Sequence, residues 1–187
     1  MKIAILGWGS LVWNPKSLQY NQEIGWQKDG PFLPLEFARI SMDGRLTLVI
    51  TSEGKEVQTL YAFSTNTTLD EAILDLAIRE GSGRKSIGYY NKKRDEIYPK
   101  NFNYLENLKA WLAINPKIDA VIWTKLGANW KEPDRLKSEK QDRIEHLKAL
   151  DGPSKVLAEE YIRKAPRQIN TKFRQEVEKE LNWFPIP

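Results

Sequence analysis

The sequence predicts an α+β fold, with short apolar strands in its first two thirds and helices from about residue 131 onward. Three observations carry this reading. The run KIAILGW (2–8) is nearly continuous in apolar residues and bounded by glycine, as a strand buried on both faces is. Asp43-Gly44 divides two β-rich runs, a strong hairpin signal. The last third is charged and helical in pattern, cut by Asp151-Gly152-Pro153 and Pro166.

The elements follow in order. After the first strand, LPLEFARISM (33–42) and RLTLVIT (45–51) flank the Asp-Gly turn. EVQTLYAFST (56–65) alternates, placing Val57, Thr59, Tyr61 and Phe63 on one face of a single strand. Helical patterns occupy about 68–80 and 103–113, and DAVIWTKL (119–126) is a later strand. EKQDRIEHLKAL (139–150), GPSKVLAEEYIRKA (152–165) and QINTKFRQEVEKEL (168–181) are the C-terminal helices. In the last of these Ile169, Phe173 and Val177 form an apolar stripe. The expected organisation is a single domain, 1–187, with a core over 1–130 and a helical extension over 131–187 packed on it.

Composition narrows the chemistry. The chain of 187 residues is 41% hydrophobic and 29% charged, the balance of an ordinary globular protein. Absence of cysteine excludes disulfides, thiolate nucleophiles and cysteine metal sites, and the expected metal content is none. The single histidine, His146, stands in a charged helical pattern and reads as a partly exposed helix residue, so a base in this protein is expected to be a carboxylate. The net charge of +4 is spread among interleaved acids and bases, which reads as a solvated surface and not as a dedicated nucleic-acid binder. No apolar run has the length of a membrane span and no signal-peptide pattern opens the chain, so a cytoplasmic location without membrane partners is expected.

Two motifs can carry chemistry. GWGSLVW (7–13) follows the first strand and can present backbone N–H groups and the Ser10 hydroxyl to an anion. It lacks the third glycine of a dinucleotide fingerprint and the Gly-Lys-Ser/Thr of a P-loop. The second motif is the helix TLDEAILDLAIREG (68–81). Thr68 and Glu71 have the spacing of a capping box, and Gly81 or Gly83 can end the helix. Glu80 falls on the apolar face of Leu69, Ile73 and Leu76, in the last turn. A carboxylate turned inward beside the negative helix end suits a group that must take up and return a proton, while Arg79 and Arg84 act against that effect.

Together, LGWGSLVW and LDLAIREGSGRKSIGYY resemble the gamma-glutamylcyclotransferase-like superfamily, whose loop has the form GYGSLIW and whose catalytic glutamate follows a helix with a Leu-Asp pair. The resemblance covers about residues 1–125. It implies a mixed β-sheet or small barrel surrounded by helices, with Glu80 as general acid/base and Gly9, Ser10 and Leu11 holding substrate oxygens. Trp8 replaces the family's tyrosine, adding bulk at the pocket wall, and Tyr89 matches the tyrosine that follows the glutamate. The segment from Glu80 to Tyr89 is longer than in the family form. The implied reaction is cofactor-free: a gamma-glutamyl α-amine attacks its own γ-carbonyl, giving 5-oxoproline and a free amine. Arg39 alternates with Phe37 and Ser41 along EFARIS, so it faces either the pocket, where it would pair with a substrate carboxylate, or the outside.

Two rival readings remain open at this point. One is a small-molecule binding or sensing protein on the same fold with the cyclisation lost. The other is nucleic-acid binding through GRKSIGYYNKKRDEIYPK (83–100), which mixes basic residues with Tyr89, Tyr90 and Tyr98. Asp95 and Glu96, and the lack of a complete RNP or helix-turn-helix pattern, count against the latter. Which gamma-glutamyl compound is used, and the oligomeric state, are open.

Overall fold

The opening apolar run becomes β1 (Ile3–Gly7), every residue of it buried. In the computed structural model, which describes residues 1–132, 134–136 and 142–186, it lies inside a five-stranded mixed sheet. Its neighbours are β5 (Leu60–Phe63), antiparallel, and β8 (Ala120–Thr124), parallel. Beyond β8 the sheet continues through β6 (Ile87–Asn91) to β7 (Glu96–Tyr98) at its edge. A strand with neighbours on both sides and apolar residues on both faces explains the absence of alternation in KIAILGW.

A smaller antiparallel sheet has the order β3-β2-β4, from β2 (Phe32–Ile40), β3 (Leu46–Ile50) and β4 (Lys55–Gln58). The Asp43-Gly44 hairpin forms as expected: Gly44 has φ +83, its N–H reaches Ser41 O at 3.0 Å, and Ser41 N–H reaches Arg45 O at 3.0 Å. The single strand expected over 56–65 is instead two strands in different sheets. Thr59 makes the break. Its N–H and Oγ1 donate to Pro31 O at 3.1 and 2.7 Å, so these groups leave the ladder.

Five α-helices occur among the described residues: α1 (Leu69–Arg79), α2 (Leu105–Ile114), α3 (Arg143–Ala149), α4 (Gly152–Lys164) and α5 (Lys172–Leu181). The expected helical residues 139–141 lie outside the described residues. Ile169, Phe173 and Val177 are buried, as their spacing implies. His146 is not the partly exposed residue expected; it is 1% exposed, its Nε2 at 2.8 Å from Gly44 O. The stretch 83–100 contains the β6–β7 hairpin, with β7 at the sheet edge.

The chain divides into two compact units, residues 1–33 with 58–125 and residues 34–57 with 126–187. This differs from a core followed by an extension at residue 131. The small sheet belongs with the C-terminal helices, because its strands supply what those helices pack on. In the second unit Phe37 meets Tyr161 and Phe173, with ring centroids 6.3 and 6.2 Å apart. In the first unit α1 packs on the large sheet, and Ile73, Leu76 and Ala77 join Ile3, Ile5, Ile87 and Ile122 in one apolar cluster. No helix among the described residues is long and apolar enough to cross a membrane.

Candidate active site

The first unit brings the two sequence motifs together. At its start α1 is held by the expected capping box: Thr68 Oγ1 accepts from Glu71 N at 3.3 Å, and Glu71 Oε2 accepts from Thr68 N at 3.1 Å. At its end Glu80 is the C-cap. Gly81 takes φ +61, its N–H donates to Ile78 O at 3.0 Å, and Ser82 N–H donates to Ala77 O at 2.9 Å. These two bonds are a Schellman closure, and they stop the helix with Arg79 and Glu80 in its final turn.

The loop after β1 is a tight turn. Val12 N–H donates to Gly9 O at 2.9 Å and Asn14 N–H to Ser10 O at 2.8 Å. The N–H groups of Gly9, Ser10 and Leu11 donate to no group among the described residues. Gly9 and Leu11 are buried and Ser10 is half-buried. A buried N–H without a partner costs about as much as a lost hydrogen bond, so three successive free donors fit a site that an acceptor completes. Gly7 has a different task. A Cβ there would stand 2.4 Å from Cζ3 of Trp26, so this glycine makes room for a neighbouring ring.

Arg79 joins loop to helix. Its side chain is 5% exposed. Nη1 donates to Glu80 Oε1 at 2.5 Å; Nη2 donates to Ser10 Oγ at 3.3 Å and to Asn14 O at 2.6 Å. One guanidinium therefore fixes the glutamate, the serine and the far side of the turn relative to one another, a task for a planar fork of donors. Its Nε is buried with no partner. Glu80 is 16% exposed, enclosed but not sealed. The arrangement can bind an anionic or carbonyl oxygen at the turn and exchange a proton at Glu80.

Helical period shows Arg79 only as a charge beside Glu80, and nothing in the local sequence points to Asn14. The available signal was position: residue 79 borders the buried face, and an arginine there is long enough to cross to a neighbouring loop. Other expected residues fall elsewhere. Trp8 is buried. Tyr89 does not join this arrangement: its hydroxyl donates to Glu96 Oε1 at 2.7 Å and its ring lines a cavity whose walls include neither Ser10 nor Glu80.

Arg39 belongs to the second unit, where Nη1 donates to Gly127 O at 3.0 Å. Nor does it share the face of Phe37. A bulge at Ala38 pairs Phe37 with Leu48 but Arg39 with Thr47, and adjacent partners point to opposite sides. Ser41 lies beyond β2, its Oγ donating to Asp43 Oδ1 at 2.5 Å.

Among the described residues no group of three or more His, Asp or Glu side chains is arranged to hold a metal ion. No protein-family model, curated protein or solved structure matches the chain.

Proposed function

We propose that the first unit carries a cofactor-free gamma-glutamylcyclotransferase-like site on a divergent fold of that superfamily, acting on a small gamma-glutamyl compound in the cytoplasm. The observation that carries this reading is the set of free N–H groups at Gly9, Ser10 and Leu11, tied through Arg79 to Glu80. A gamma-glutamyl chain held curled over the turn brings its amine to its own carbonyl, which removes much of the entropic barrier. Glu80 takes a proton from the α-ammonium, and the amine attacks the γ-carbonyl carbon. Loop N–H groups hold the oxyanion that forms. As the original carbonyl–nitrogen bond breaks, the ring nitrogen has given up two protons, and the departing amine leaves with them as an ammonium ion. The other product is 5-oxoproline.

A second reading, binding or sensing of a gamma-glutamyl-like anion without turnover, is favoured by the close engagement of Glu80 with Arg79. One experiment separates the two. Purified protein is incubated with glutathione, gamma-glutamyl amino acids and gamma-glutamyl amines, beside a folded Glu80→Gln variant, and 5-oxoproline is assayed by mass spectrometry. Cyclisation predicts product from the wild type and a loss of at least about a hundredfold in the variant. Ligand retention by both proteins with product from neither supports the binding reading. Equal product from both removes Glu80 from the chemistry.

A further inference from the structure

The stretch 83–100, whose Tyr89 does not reach the Glu80 arrangement, folds around a cavity of about 710 Å³ toward the opposite end of α1. Its wall includes Leu69, Asp70 and Ile73 from the first turns of the helix, whereas Glu80 follows the last turn. Seven residues on from Ile73, Glu80 lies about 10 Å further along the helix axis. The volume falls within the range of small-molecule sites.

Alternation along β6 sorts the tyrosines. Ile87, Tyr89 and Asn91 line the cavity, while Tyr90 is buried among other groups and donates to Asp95 Oδ1 at 2.8 Å. Tyr98 lies directly across the ladder from Tyr89, and the two rings stack with centroids 6.0 Å apart and planes 23° apart. Both hydroxyls are tied down, Tyr89 to Glu96 and Tyr98 to Lys85 O at 3.3 Å, so the rings are held as a fixed pair. Ile73 and Ile87 add apolar wall beside them.

Charge in the wall is unevenly satisfied. Asp70 is paired with Arg84 at 2.5 Å, and Glu96 accepts from Tyr89. Lys85 and Arg94, exposed at either end of β6, have no ion-pair or hydrogen-bond partner for their side chains among the described residues. The acids are thus occupied and two cations flanking an aromatic pair are free. That combination suits a planar ring bearing an anionic group.

We infer that this cavity is a binding site for a nucleoside monophosphate, with the base against Tyr89 and Tyr98 and the phosphate drawn by Lys85 and Arg94. A free nucleotide is favoured over a nucleic-acid strand because two carboxylates stand in the wall, where a continuous phosphate backbone would meet them. The site is independent of the proposed reaction at Glu80.

The test is calorimetric titration of the full chain with the four common ribonucleoside 5′-monophosphates, with adenosine and inorganic phosphate as separate probes. At least one nucleotide should bind with a Kd below about 1 mM and more tightly than either fragment. Tyr98→Ala should weaken it about tenfold, and Tyr98→Phe, which keeps the ring, by no more than about twofold. The Lys85→Glu/Arg94→Glu double variant, altered only at exposed positions, should weaken it about tenfold or more even if Tyr98→Ala fails to fold. Absence of nucleotide binding, phosphate binding as tightly as nucleotide, or affinity unchanged in the double variant would overturn the assignment. So would a single strand about ten nucleotides long binding over tenfold more tightly with steep salt dependence, which would mark a nucleic-acid surface instead.

Discussion

The two ends of α1 are closed by different means. At the first end the cap itself is closed by neighbours: Thr67, Thr68 and Glu71 hydrogen-bond to one another in exposed surroundings, and the ties to more distant residues, Thr67 O with the Met1 ammonium and Asp70 with Arg84, are exposed as well. At the second, the backbone is closed locally by Gly81 and Ser82, but the side chains reach far along the chain. Arg79 meets Ser10 and Asn14, 69 and 65 residues away in sequence. The first end is held by exposed contacts, and the second by a buried arginine that crosses to a distant loop. Substitutions can test how far that difference goes.

Arg79→Ala should have the largest effect. It leaves Glu80, only 16% exposed, without its cation and removes the tie to the β1 loop. Removing one member of a buried pair gives an expected loss of about 3 kcal/mol in urea unfolding. Arg79→Lys retains the charge but cannot supply the same fork, so it should recover part of the stability and little of any 5-oxoproline formation. Stability unchanged in Arg79→Ala would show that this end of the helix is no more committed than the other.

The same contrast explains what was legible beforehand. The capping box and Gly81 follow from residues three or fewer apart, and local spacing is what a sequence displays directly. Glu80 could be placed on the inner face by helical period. The direction taken by Arg79 could not, because it depends on which loop lies opposite. Tyr89 was linked to the glutamate by a motif, yet the strand that carries it turns its side chain toward the other end of the helix. For Arg39, one bulge residue inverted the face that alternation assigned. Thr59 shows the same limit on a larger scale, because a bond to Pro31 separates two strands that read as one. Long-range hydrogen bonds decided the cases of Arg79 and Thr59, and strand geometry those of Tyr89 and Arg39.

Gly81→Ala sharpens the comparison by acting on backbone alone. Nothing lies within 4 Å of where the new Cβ would stand, so crowding plays no part. The cost is that of holding alanine at φ +61, about 1 kcal/mol. If the side-chain ties hold the helix end in place, 5-oxoproline formation should fall far less than in Arg79→Ala. A parallel fall in both would mean that Schellman closure, and not Arg79, sets the site geometry.

The smallest effect belongs to the first end. Thr68→Ala removes the cap acceptor and should lower stability by about 0.5–1 kcal/mol near neutral pH, leaving the Glu80 site unaltered. Hydrogen bonds from the Thr68 hydroxyl and backbone, with smaller ones from Thr67, hold the Glu71 carboxyl below its ordinary value of 4.5. A lowered value means that the charged form is the one the fold favours. Its contribution is therefore complete above the ordinary carboxylate range and disappears as pH falls through the lowered value. Measured by urea unfolding across acid pH, the gap between wild type and Thr68→Ala should narrow as Glu71 protonates. A constant gap would assign the whole effect to the hydroxyl's bond with the Glu71 N–H and none to its bond with the Glu71 carboxylate, since the backbone N–H of residue 68 still donates to that carboxylate in the variant.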